Sequence, residues 1–175
     1  MTTSGSSPVS RDRRVKRRAT QARRQPPFAH RNLPLLLLQA RERVIARFRP
    51  LLNANGVTEQ QWRIVRALLE TGPLEPRQIV ALCGISSPSL AGILTRMEEV
   101  GLVRRVRLDH DQRRLEVSLT PKSRALAAAM APQVEAAYAE LEAAVGPELV
   151  AQVYRLLDRL VGALDAEAGP GAPSA

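Results

Sequence analysis

Aromatic residues are scarce in this chain of 175: two Phe, two Tyr and one Trp, or 3% of the total. The apolar share of 45% therefore rests mainly on Ala, Leu and Val, a set that builds helices more readily than a β-sandwich. Cysteine is scarcer still. The one thiol, Cys83, allows no internal disulfide and no thiolate metal cluster, which excludes a secreted disulfide scaffold and fits a reducing, cytoplasmic setting. Histidine occurs only at His30 and His110, with no nucleophile, metal cluster or Gly-rich phosphate loop beside either, so the expectation is no enzyme, no metal and no cofactor. No apolar run approaches the roughly 18 residues that would span a bilayer. Arg17 and Arg18 do precede an apolar stretch, but residues 35–38 are too short for a secretory signal.

Positive charge is what the sequence has in excess, and its location matters. The 26 basic and 17 acidic residues give +9, but residues 1–31 hold nine basic residues and one acidic, a net of +8. The other 17 basic and 16 acidic residues leave a net of +1 over 32–175. Residues 1–31 also lack the apolar residues to offset their ordering entropy, so they read as a disordered basic tail suited to non-specific phosphate contacts. The body must be judged by pattern.

From Leu33 the apolar period is helical: Leu33, Leu36, Leu37, Ala40, Val44, Phe48, Leu51 and Leu52, with a stop at Asn55 and Gly56. Thr58 and Gln61 form a capping box for a second helix with Trp62, Val65, Leu68 and Leu69 on one face. A short helix from Glu75 to Leu82 follows, with Ile79 and Leu82 inward and Gly84 as its stop. Ser86 or Ser87 then caps a fourth, with Pro88 in its first turn. Over 103–119 the period becomes two: Val106 and Leu108, then Leu115, Val117 and Leu119, flank a polar tip at 109–114. Two long amphipathic helices close the chain, before a Gly-Pro-rich end, 167–175, that reads as a second disordered tail.

Three short helices and then a hairpin is the order of a winged helix-turn-helix, in a mainly α chain whose only sheet is that small β-hairpin. On the fourth helix, Leu90, Ile93, Leu94 and Met97 mark the buried side, leaving Ser86, Ser87, Ser89, Gly92, Thr95 and Arg96 outward. Small hydroxyl residues and a glycine let a helix approach base edges closely, and Arg96 suits guanine or phosphate. The plainer alternative is that these residues only cap and solvate the helix. Arg113 and Arg114 at the hairpin tip suit a narrow minor groove, with Asp109 and Asp111 holding their rotamers. The outer helices, 33–55 and 122–166, carry wider apolar stripes than the 57–121 core needs, which predicts a homodimer and, by its symmetry, a pseudo-palindromic double-stranded DNA site.

Three segments carry a resemblance: TEQQWRIVRALLE (58–70), SLAGILTRMEEVGLVRR (89–105) and DQRRLEVSLT (111–120). Together with the helix at 33–52 they resemble the MarR family of bacterial transcription regulators over about residues 33–165. The resemblance implies a dimeric winged-helix repressor, released from operator DNA by a small aromatic acid. The regulated operon would serve aromatic-acid catabolism, of homoprotocatechuate or 4-hydroxyphenylacetate. It also implies Arg113 as the wing arginine, Asp111 as its partner, and residues 87–96 as the recognition surface. Effector binding would fall where the outer helices meet the winged domain, with Gln39, Arg41, Arg43, Trp62 and Arg63 as candidates. A phenolic acid needs a cation for its carboxylate and a flat apolar wall for its ring, which Arg41 and Trp62 could supply; the plainer alternative makes Trp62 core and the arginines surface pairs. Rival readings are a MarR-type regulator of stress or efflux, a sequence-indifferent nucleic-acid binder acting through the tail, and oxidation sensing by Cys83, which as a lone Cys is otherwise a small buried hydrophobe.

Overall fold

The computed structural model describes Met1, residues 28–108 and residues 111–168. The side chains at 108, 111–113 and 168 lie outside that description, as do both predicted tails apart from Met1, residues 28–31 and the start of 167–175. Among the described residues, six helices and one hairpin run in the order α1 (Leu33–Ala54), α2 (Glu59–Thr71), α3 (Pro76–Cys83), α4 (Ser87–Glu99), β1 (Val103–Leu108), β2 (Asp111–Leu119), α5 (Pro121–Val145) and α6 (Pro147–Ala168). The chain divides into two units, Met1–Gln39 and Ala40–Ala175. In the first, Asn32 starts α1 by accepting the Leu35 N–H at 3.0 Å, and Leu33 and Leu35 to Leu38 are all exposed.

The second unit is organised on α2, which packs against α3, α4 and α5. Its start is fixed as the sequence predicts. The Thr58 hydroxyl accepts the Gln61 N–H at 3.2 Å while Gln61 Oε1 accepts the Thr58 N–H at 2.9 Å. Gly84, at φ 56°, ends α3 in the left-handed region that a side chain would strain. The main core joins Ile64, Val65 and Leu68 of α2 to Ile79, the four apolar residues of α4, and Val103, Val117 and Leu119 at the hairpin root. Two smaller clusters hold α1 to α5, Phe48 with Val134 and Ala137, and Leu52 with Val57 and Met130. Trp62 packs against all three.

Some expectations are corrected. Leu82 is 59% exposed, because the core takes Ile79 and Cys83 from α3 and leaves Leu82 on the far side of the helix. The hairpin faces the opposite way to the predicted alternation on β1. Val103 pairs with Leu119 and Arg105 with Val117, so Val103 is inward, Arg105 is half-buried, and Val106, opposite Glu116, is exposed. The reason is burial: Val103 joins Val117 and Leu119 in the core, the period of two then turns Arg105 to the same side, and Glu98 receives its guanidinium there. The hairpin also has an unforeseen neighbour. Leu74 and Val117 exchange backbone hydrogen bonds of 3.0 and 2.8 Å, so the chain entering α3 pairs with β2. Among the described residues, no single helix is long and apolar enough to cross a membrane.

Candidate nucleic-acid interface and effector groove

Four apolar residues at helical spacing fix how α4 sits. Leu90, Ile93, Leu94 and Met97 are all 3% exposed or less, which turns Ser87, Ser89, Thr95 and Arg96 outward. Ser86 is the N-cap residue, and its hydroxyl hydrogen-bonds Ser89 Oγ at 2.9 Å. Gly92 is half-buried, with the Arg96 guanidinium folded back over it. All six nominated residues therefore lie at the start or along the exposed side of one helix. Sequence reasoning passed over Glu99, exposed in the same helix's last turn.

The far end of α4 is tied to the hairpin and to the start of α5. Lys122 donates to the carbonyl of Val100, the C-cap residue, at 2.7 Å, and Thr120 Oγ1 to the carbonyl of Gly101 just beyond it, also at 2.7 Å. Arg105 of β1 donates through Nε and Nη2 to Glu98 Oε2, at 2.8 and 2.5 Å, and through its backbone N–H to Oε1 at 3.1 Å. Those hydrogen bonds from Arg105 hold the Glu98 carboxyl below its ordinary value. The wing root is thereby clamped to the last turn of α4. On β2, Arg114 donates to Glu75 at the start of α3. Asp111 and Arg113 belong to β2, but their side chains are outside the described residues.

The effector candidates separate. Arg41 of α1 and Arg63 of α2 both bind Glu59, Arg63 at 2.9 Å, and Arg49 joins them at 3.5 Å. Arg63 also donates to the Cys83 carbonyl at 2.6 Å, fastening the end of α3 to α2. Cys83 itself is buried, and burial pushes its thiol up, away from the thiolate that oxidation chemistry needs. Gln39 lies in the first unit and Arg43 on the exposed side of α1. Trp62 alone among the five lines the groove between α2 and α5, a hollow of about 280 Å³. Its other walls are Leu69 and a run of Ala and Val on α5, and its charged lining is Arg66, Arg124 and Glu135. Arg66 pairs with Glu70 at 2.7 Å, whereas Arg124 makes no ion pair among the described residues. Sequence reading missed both, although Arg66 stands four residues from Trp62 and so on the same face.

A profile of the MarR family matches residues 55–114, α2 through the hairpin tip. The homoprotocatechuate degradative operon repressor of Escherichia coli is 42% identical over 132 residues, 75% of this chain and 89% of that protein. The chain belongs to the MarR family. Two solved structures are similar in fold. Transcriptional regulator PA4135 superposes with a TM-score of 0.75 at 41% identity, covering 76% of this chain and 98% of that one. NadR in complex with 4-hydroxyphenylacetate gives 0.69 at 38%, covering 78% and 96%. A MarR winged helix accounts for the α2–α3–α4–hairpin order and for the paired segment at Leu74, which completes the wing's sheet on its inner side.

Proposed function

We propose that this MarR-family chain is a sequence-specific DNA-binding repressor of an aromatic-acid catabolic operon, released when a hydroxylated aromatic acid occupies the α2–α5 groove. The observation that carries the reading is the groove's position. Trp62 and Arg66 stand on the helix that packs directly on α4, so a ligand there touches the element that seats the DNA-facing helix. A flat apolar wall with two guanidinium groups suits one aromatic ring bearing a carboxylate, and 280 Å³, just under the roughly 300 Å³ at which drug-sized ligand sites begin, suits a ligand of a single ring. NadR, a relative of the same fold, holds such an acid.

In this reading Ser86, Ser87, Ser89, Gly92, Thr95 and Arg96 face the major groove, and the wing carries Arg113, set by Asp111, toward the adjacent minor groove. Two copies pair through the outer helices. On α6, Leu149, Val153, Leu156, Leu157, Val161 and Leu164 are each 40% exposed or more, an apolar stripe that a single chain leaves in water. The dimer places two α4 helices on half-sites about one DNA turn apart, and the ligand acts by favouring a spacing that no longer matches them. The setting is the cytoplasm, and residues 1–31 add sequence-independent attraction. Selection from a random duplex pool, followed by titration of the enriched duplex with 4-hydroxyphenylacetate and homoprotocatechuate, tests this. Enrichment of a two-fold symmetric sequence and its release by either acid are expected. An unenriched pool overturns the repressor, and an enriched duplex that neither acid displaces overturns the effector class.

A further inference from the structure

The guanidinium of Arg114 is the second arginine of the wing tip, yet in the structure it is turned back to the body. Its Nε donates to Glu75 Oε1 at 2.7 Å and its Nη2 goes to the same oxygen. The other carboxylate oxygen takes Arg77 Nε at 3.0 Å. Glu75 is the more enclosed partner, its side chain 14% exposed against 48% for Arg114, so the pair lies at the surface with its carboxylate end held by the fold. The backbone places it there. Leu74 and Val117 pair, which sets Glu75 opposite Glu116 and makes Arg114 its diagonal neighbour on one face of the sheet. Glu75 is in turn fixed as the residue capping α3, its N–H donated to Gln78 Oε1 at 2.8 Å.

From this we infer that Arg114 is a brace, a positioning residue that acts through Glu75 to hold the wing against α3, and not a DNA contact in its own right. The inference rests on the DNA-binding reading above. It gives the wing two clamps of like chemistry: Arg105 to Glu98 ties β1 to the end of α4, and Arg114 to Glu75 ties β2 to the start of α3. With each strand fastened to a different helix of the helix-turn-helix, the root of the wing is held at a set distance from α4, and the groove contact falls to Arg113. A phosphate taken by the remaining hydrogens of Arg114 would lie close to the Glu75 carboxylate that its Nε and Nη2 already hold, an arrangement like charge disfavours.

The test uses the full chain and a duplex enriched by the wild type, with affinity followed by fluorescence anisotropy over a series of salt concentrations. Glu75→Gln and Arg114→Gln should each weaken binding by about two- to fivefold, the reach of one exposed ion pair. The double variant should be no weaker than either single one, with an unchanged salt slope, since the two act as one unit. The exchanged pair, Glu75→Arg with Arg114→Glu, is made together with Arg77→Gln, which removes the other cation on Glu75, and should return to within about twofold of wild type because the clamp re-forms with its charges reversed. The assignment is overturned if Arg114→Gln lowers the salt slope by about 0.9 while Glu75→Gln tightens binding, the signature of a direct phosphate contact. It is equally overturned if the exchanged pair stays weaker than both single variants while its far-ultraviolet spectrum and melting temperature match wild type. A wild type that enriches no sequence sinks the DNA-binding reading itself, and is told apart by failing before any variant is made.

Discussion

Replacing Gly92 with alanine should make the protein more stable and a poorer DNA binder at once. Gly92 lies within α4 at ordinary helical φ, so a side chain meets no backbone strain there. A methyl group at that position would meet one atom within 4 Å, Arg96 Nη1 at 3.4 Å, which is the far end of a flexible, exposed side chain and can swing aside. The change then keeps most of the helical advantage of alanine over glycine, about 1 kcal/mol, because alanine loses less backbone freedom on folding. After a small allowance for moving Arg96, about 0.5–1 kcal/mol remains, a rise in melting temperature of about 1–4 °C for a chain of this size. On DNA the sign reverses. The methyl projects from the face assigned to base edges and displaces Arg96, and a loss of about tenfold, or 1.4 kcal/mol, is expected. Thermal unfolding by circular dichroism and anisotropy titration against an enriched duplex give the two numbers. A stabilised variant with undiminished affinity would refute the placement of this side of α4 against DNA.

Arg66→Ala should leave DNA binding intact while raising at least tenfold the concentration of 4-hydroxyphenylacetate needed for release, read as half-maximal loss of anisotropy; an unchanged concentration would move the ligand out of the groove. Met130→Ala, which empties a site at 0% exposure between Leu52 and Val57, should cost about 2–4 kcal/mol in urea unfolding. Glu98 has a depressed carboxyl, so the contribution of its pair with Arg105 is present above the unfolded carboxylate value near pH 4.3 and is lost as pH falls through the lower folded value. The stability gap between wild type and Glu98→Gln should therefore be open at pH 7 and narrow progressively as the pH falls below the ordinary carboxylate value; a gap that does not narrow in acid contradicts the clamp. Deleting residues 1–31, which carry +8, should flatten the salt dependence and keep the sequence preference, whereas loss of all binding would make the tail the binder.

The helices were legible because burial writes a period into sequence. All four residues assigned to the inner face of α4 are buried, and the Thr58–Gln61 box and the Gly84 stop stand where their residue types require. The features that escaped notice have no period. One backbone pairing between Leu74 and Val117 leaves no alternation to read, and it is this that brings Glu75 to Arg114. Arginine was the harder problem throughout, since a long cationic side chain serves equally as ligand contact, brace or surface pair. Arg41 and Arg63 converge on Glu59, and Arg105 turns inward where a hydrophobic count expected Val106. Only the position of the nearest carboxylate distinguishes these roles, and that is a property of the fold.

The indole of Trp62 is shared masonry. It abuts the winged-helix core, the Phe48 cluster and the Leu52 cluster together, and it is also a wall of the groove. A guest pressed against that ring leans on a keystone: any tilt it imposes must be absorbed by three packed surfaces simultaneously, two of which belong to α1 and α5. A molecule the size of one benzene ring can in this way push on the whole frame without reaching across it.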